Sequence, residues 1–253
     1  MNNRFSFDRC DGYYRITGLP APLEIGIAGK SANRTDYSAD SDEIRVREKA
    51  LVGALCGVDT KNILTLNQVH EDTIHDIDVY PDRDTPVFAD GDGMLTALPG
   101  LCMVIRTADC LPVIAFDARR TVLGAAHAGW RGCRLNIAGK LVRTMKERYG
   151  SDTADIITFI LPSIGPQSYA VNDDVAAHFP DSTLTVNGRI HVDLWDSIGR
   201  SLLHEGILPG NIFASGVCTR INHTDFFSHR YGDTGRNLNY CCINPCKKIP
   251  AKK

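Results

Sequence analysis

Between residues 101 and 126 the chain sets three apolar runs of strand length in close succession, and no other stretch restricts its fold as strongly. Residues 101–107, 112–116 and 121–126 are rich in Val, Ile, Leu and Ala, and Arg106 is their one charged residue. Runs of that composition are expected of strands buried on both faces. An amphipathic segment follows over 133–149, with Leu135, Ala138, Leu141, Val142, Met145 and Tyr149 on one face and Gly150 as a stop. Strands that need cover on both sides, followed by a helix able to give it, make an α/β arrangement.

The rest of the chain fits that class. Asp40 with Glu43 reads as a capping box opening a helix over 40–55 that turns Ile44, Leu51, Ala54 and Leu55 inward. Residues 63–68 read as a strand that delivers His70 just past its end, and 155–161 and 211–217 as further strands. A short helix follows Asn172 and stops at Pro180; another begins near Asp193, buries Trp195, Ile198 and Leu202, and ends at Gly206. Stretches 26–39, 80–85 and 231–237 read as loops, and none has the length or bias of an inter-domain linker. With no repeat or low-complexity tract, the 253 residues are expected to form one α/β domain with a mixed sheet flanked by helices. Sheet order is not legible at this level.

Composition excludes several roles. A net charge of −2 argues against a protein that coats nucleic acid. No apolar run reaches the ~18–20 residues of a membrane span, and the N-terminus lacks the apolar stretch of a secretory leader, so a cytoplasmic location is expected. The nine cysteines are scattered without a CxxC pair, as expected of reduced thiols.

Three segments place ligand-type side chains at strand edges: Asn67-Gln68-Val69-His70, Thr107-Ala108-Asp109-Cys110, and Ala126-His127-Ala128-Gly129-Trp130-Arg131-Gly132. Two imidazoles and a thiolate suit a catalytic zinc ion, which takes N and S donors and keeps a fourth position open. His70, Cys110 and His127 are separated by 40 and 17 residues, so only a folded sheet can bring them together. Arg131 could aim its guanidinium at an anion such as phosphate, with Arg230 a second candidate. Asp109 could orient a ligand or carry a proton. Each also has a structural reading: Cys110 as a buried thiol, His127 as a core histidine, Trp130 as packing and Arg131 as a salt-bridge partner.

Other patterns carry less. His70 and His75 are five apart, not the four of a zinc-binding helix face, and Gly91-Asp92-Gly93 lacks the spacing of a dinucleotide fingerprint. Cys241 and Cys242 would point to opposite faces of a strand, which weakens a metal site with Cys246, and the closing lysines 247, 248, 252 and 253 read as a solvated tail.

The stretches NQVH (67–70), TADCLPV (107–113), GAAHAGWRG (124–132), LPSIGPQSYAV (161–171) and CTRINHTDFFSHRYGDTGR (218–236) resemble the multicopper polyphenol oxidase or laccase-domain family. Its members are also called purine nucleoside phosphorylases and peptidoglycan editing factors. The likeness covers roughly residues 62–243. It implies an α/β fold similar to that of cysteine hydrolases and a His-Cys-His zinc site, carried over to His70, Cys110 and His127. It also implies phosphorolysis of adenosine, inosine and methylthioadenosine, or adenosine deamination, with nucleoside and phosphate as the small-molecule partners. The first sixty residues match poorly: the family's Ser-Leu-Asn-Leu-Gly stretch is not evident in 26–40, and its Asn-Arg pair appears as Arg47-Glu48. His229 stands where many relatives have Tyr before an Arg.

Three functions therefore remain in play. One is a zinc-dependent purine nucleoside enzyme. The second is a metal-free Cys–His amidohydrolase acting on muramyl–amino-acid precursors, with Cys110 as nucleophile, His127 as base, and Asp109 or His70 as orienter. The third is a non-catalytic module that binds a nucleoside or muramyl ligand. Copper is less expected than zinc, because the chain's eight histidines contain no H-x-H pair for a multicopper cluster.

Overall fold

A computed structural model of the chain describes residues 5–10, 13–39, 41–82 and 85–244. Asp40, Cys246 and the terminal lysines lie outside those residues, so the capping box at the first helix and the Cys246 site are not described.

The strands form two six-stranded sheets rather than one. The first contains β1 (Ser6–Cys10), β2 (Tyr13–Thr17), β3 (Leu23–Ala28), β4 (Ile63–Thr65), β7 (Cys102–Thr107) and β14 (Asn237–Ile243), in the order β1-β2-β3-β14-β7-β4. The second contains β5 (Ile74–Ile77), β6 (Gly93–Thr96), β8 (Leu111–Asp117), β9 (Val122–Ala128), β10 (Ile156–Ile160) and β13 (Ile212–Ala214), in the order β13-β10-β8-β9-β6-β5. A hairpin of β11 (Thr183–Val186) and β12 (Arg189–Val192) stands apart. Both large sheets are mixed: β4 runs parallel to β7, β5 to β6 and β10 to β13, while the other pairs are antiparallel.

Side-chain alternation shows how the layers stack. Ile25, Ile27, Met103 and Ile105 of the first sheet share one buried cluster with Ile114, Phe116, Leu123 and Phe159 of the second, so the two sheets pack face to face. The opposite face of the second sheet, with Val113, Ala115 and Val122, is covered by α3 (Ile137–Tyr149) and α5 (Leu194–His204). The opposite face of the first, with Val104, Leu238 and Tyr240, is covered by α1 (Ser41–Cys56). Adjacent Cys241 and Cys242 fall in different clusters, as period-2 geometry requires. Gly26 on β3 is needed for close approach, because a Cβ there would come within 2.2 Å of the Tyr240 ring.

Several elements differ from expectation for local reasons. The helix expected over 133–149 is two: α2 (Trp130–Arg134) and α3, broken at Asn136, whose left-handed backbone (φ 58°) cannot continue a helix. The Asn136 side chain instead caps α3 by accepting the Gly139 N–H at 3.1 Å. Residues 26–28, expected as loop, complete β3, and Asn237 opens β14. The inward face of α1 is also not the apolar one: Ile44 and Val52 are buried, but so are Arg45, Glu48 and Lys49, whereas Ala54 is exposed. Among the described residues no helix is long and apolar enough to cross a membrane.

Candidate metal centre

Three chain reversals at one end of the sandwich build the site. The register of β8 on β9 pairs Leu111 with Ala128 and Pro112 with His127. Cys110, one residue before β8, therefore faces Gly129, one residue after β9. Parallel β4 ends at Thr65 opposite Val104, and the chain after it stays along β7, where the Gln68 side chain bonds the Arg106 carbonyl and amide at 2.8 Å each, which brings His70 to the same edge. The ligand atoms of His70, Cys110 and His127 all lie within 4.8 Å of one another. The rings of His70 and His127 meet edge to face at 4.8 Å between centroids.

Asp92 organises this cluster. It is fully buried, and its carboxylate accepts the backbone N–H groups of Val69 (3.2 Å), His70 (3.0 Å) and Glu71 (2.8 Å). Those bonds fix the loop in which His70 takes a positive φ of 63°. The same carboxylate meets Nδ1 of His127 at 2.8 Å, leaving Nε2 of that ring for the cluster. Burial opposes ionisation of Asp92, but bonds from the His127 ring and the Glu71 and His70 amides outweigh it and hold its pKa below the usual carboxylate range. Sequence reading passed over Asp92, since its Gly-Asp-Gly setting carries no spacing signal; the clue was a lone acid between two candidate strands.

Burial likewise opposes ionisation of the Cys110 thiol, yet the charge and hydrogen bonds of His127, then of His70, lower its pKa to about 6. His127 is nearly buried, which disfavours its charged form, but the Cys110 thiolate and Asp92 raise its pKa to about 9. A free set of these three side chains is thus a thiolate held against imidazoles. That set of soft and borderline donors fits a zinc ion, and is open to other metals that favour nitrogen and sulfur. Space agrees: a Cβ on Gly129 would stand 3.1 Å from Cδ2 of His70, 3.2 Å from Sγ of Cys110 and 3.9 Å from Cε1 of His127, so this glycine keeps the ground between the three donors open.

The other expected residues stand around the cluster. The Asp109 carboxylate accepts the Thr219 hydroxyl at 2.7 Å and the Arg230 amide N–H at 2.7 Å, and its φ is 93°. Arg131 is exposed and lies over the Trp130 ring, 4.5 Å from its centroid. Arg230 donates to the Ala170 carbonyl at 2.7 Å and covers the Tyr169 ring at 4.8 Å. Trp130 is half-buried and stacks on His178. All of Asp109, Arg131, Arg230 and Trp130 line one cavity of about 640 Å³ with the three donors, large enough for a drug-sized ligand. Arg45, Arg106, Arg236, Gln68 and His229 line it too, and sequence reading assigned none of these five a role in the site.

Residues 26–244 match the family model described as multi-copper polyphenol oxidoreductase laccase. The chain belongs to this laccase-like family. The match begins at residue 26 and so takes in the second half of β3 and all of α1, well before the motifs at 62–243. Within the family, the chain is 35% identical to a protein of Deinococcus radiodurans named purine nucleoside phosphorylase, over 88% of this chain and 84% of that one. It is 31% identical to adenosine deaminase RL5 from an unknown prokaryotic organism, over 80% and 82% of the two chains. Among solved structures it is similar to Bacillus licheniformis hypothetical protein YfiH, with a TM-score of 0.83 and 28% identity over 96% of this chain and all of that one.

Proposed function

We propose that this member of the laccase-like family is a zinc-dependent purine nucleoside enzyme, its 253 residues acting as one domain. The observation that carries the reading is the His70–Cys110–His127 cluster, braced by Asp92 and opening into an arginine-lined cavity. The names of the Deinococcus and RL5 relatives support purine nucleosides as the substrate class.

His70, Cys110 and His127 would hold the zinc ion, which supplies Lewis acidity for polarising an oxygen nucleophile. Asp92 keeps the His127 ring in one tautomer with Nε2 forward. Trp130 and Tyr169 line the cavity with Arg131 and Arg230 held over their rings, so a purine would meet a wall that is both aromatic and cationic. Arg131 and Arg230 add positive charge to the cavity wall, able to stabilise negative charge that develops on the substrate. In phosphorolysis a phosphate oxygen bonds to the ribose C1′ as the C1′–N bond breaks, and the purine leaves with a proton. In deamination a water oxygen adds at C6 and the amino group leaves as ammonia. Asp109, tied to Thr219 and to the Arg230 backbone, positions that loop.

The test is elemental analysis of the untagged protein, alongside adenosine turnover with and without phosphate. About one zinc per chain is expected, lost together with activity in Cys110→Ala and His127→Ala. An active, metal-free His127→Ala enzyme would overturn the assignment. Phosphate dependence then separates phosphorolysis from deamination.

One observation favours the rival Cys–His amidohydrolase. Asp92, His127 and Cys110 form an acid–imidazole–thiol series in which the thiol is lowered to about 6 and the imidazole raised to about 9. Full activity of Cys110→Ser with zinc retained would exclude that reading, since it needs the thiolate.

A further inference from the structure

The wall of the cavity built by α1 carries a charge that the metal centre does not use. Arg45 is only 9% exposed, yet it lines the cavity shared with His70, Cys110 and His127. Glu48, one turn on, is not its ion-pair partner. That carboxylate meets Arg106, Nε to Oε2 at 2.6 Å and NH2 to Oε1 at 3.1 Å, and accepts the Tyr37 hydroxyl at 2.8 Å. Arg236 is occupied by the carbonyls of Thr234 and Gly235 at 2.6 and 2.8 Å.

Among the described residues, Arg45 makes one side-chain hydrogen bond, NH1 to the Thr65 hydroxyl at 3.2 Å, and has no carboxylate within ion-pair distance. A guanidinium carries five donors, so most of this one remains to be satisfied. Burying such a cation without a counter-ion is costly. Burial first, and then the charge of Arg106, pull the Arg45 pKa down to about 10. Three guanidiniums, of Arg45, Arg106 and Arg236, thus share this part of the cavity, and Arg106 and Tyr37 already use the Glu48 carboxylate.

We infer that Arg45, flanked by Arg106 and Arg236, is an anion subsite that receives a phosphoryl group of the substrate. The inference rests on the purine nucleoside reading and deepens it. Two sources can bring that group: free phosphate as co-substrate, or the 5′-phosphate of a nucleoside monophosphate. Either would accept several N–H donors from a fork held in place by its own burial.

The experiment titrates the zinc-loaded protein calorimetrically with inorganic phosphate, with adenosine and with adenosine 5′-monophosphate. It compares the wild type with Arg45→Gln and Arg45→Lys. Expected is a loss of about tenfold or more in affinity for phosphate or the monophosphate in Arg45→Gln, with a smaller change for adenosine. Arg45→Lys, which keeps the charge but not the fork, should fall between. A loss confined to the monophosphate identifies the ester as the source, and a loss for phosphate identifies the free anion.

Unchanged affinities in a folded Arg45→Gln, or a wild type that binds neither anion, overturn the subsite. If Arg45→Gln does not fold, Arg45→Lys decides by the same comparison. Wild-type protein that binds phosphate through Arg45 but turns over no purine nucleoside sinks the nucleoside reading and keeps the subsite. Adenosine turnover with anion binding indifferent to Arg45 does the reverse.

Discussion

Asp92 holds His127 twice: its carboxylate meets ring Nδ1 at 2.8 Å, and its main-chain carbonyl accepts the His127 backbone N–H at 2.7 Å. Because the same carboxylate also accepts the amides of residues 69–71, one buried acid sets the position of two of the three donors. Asp92→Asn keeps the shape but can no longer accept at both oxygens, and because each oxygen takes two of the four bonds, two of them become clashes of donors. Zinc affinity is expected to fall about 10- to 100-fold, read by competition with a chelator. Unaltered affinity would mean that the carboxylate braces the fold only.

Gly129 gives a cleaner probe of the donor geometry. Its backbone (φ −70°, ψ 176°) suits any residue, so Gly129→Ala introduces no backbone strain. The added methyl would crowd His70 and Cys110 at 3.1 and 3.2 Å. Zinc binding should weaken by roughly tenfold while unfolding free energy shifts by less than about 1 kcal/mol. Equal losses in melting and in metal binding would show that the methyl disturbs packing rather than the donors.

The sequence was most legible where hydrophobic pattern and structure obey the same rule. β7, β8 and β9 are buried on both faces and read as apolar runs; α3 and α5 each lay one apolar face on a sheet. The three donors were found because each lies at or just past the edge of an apolar run. Sheet membership was hidden, since alternation says that a residue faces inward but not which sheet it faces. The buried side of α1 was hidden for another reason: it turns Arg45, Glu48 and Lys49 inward, Arg45 onto the cavity, so its inward face is charged. Asp92 was missed because a single buried carboxylate leaves no periodic trace.

A third prediction concerns protein stripped of metal. With the Cys110 pKa lowered to about 6 and that of His127 raised to about 9, the thiolate–imidazolium pair spans that interval. Iodoacetamide labelling of Cys110 in chelator-treated protein should rise through a midpoint near 6, because only the thiolate reacts. Zinc should protect the residue. Cys241, whose thiol is driven up by burial, should stay unlabelled in the same experiment. A midpoint close to that of an ordinary thiol would show that the imidazoles do not stabilise the anion.

Asp109 separates positioning from proton transfer. Both of its oxygens are engaged, by the Thr219 hydroxyl and the Arg230 amide, each at 2.7 Å. In Asp109→Asn the side-chain carbonyl can still accept the Arg230 amide, and the Thr219 oxygen can accept from the new NH2 group. If Asp109 positions the loop, activity should fall only a few-fold, chiefly through KM, and the pH profile should keep its shape. A residue that carried a proton would instead cost about 10²–10⁴ in kcat and remove one limb of the profile. Asp109→Ala, which strips both contacts, is expected to lose about 1–3 kcal/mol of stability, read from denaturant unfolding. Retained stability in that variant, together with a lost limb in Asp109→Asn, would move Asp109 from the scaffold into the chemistry.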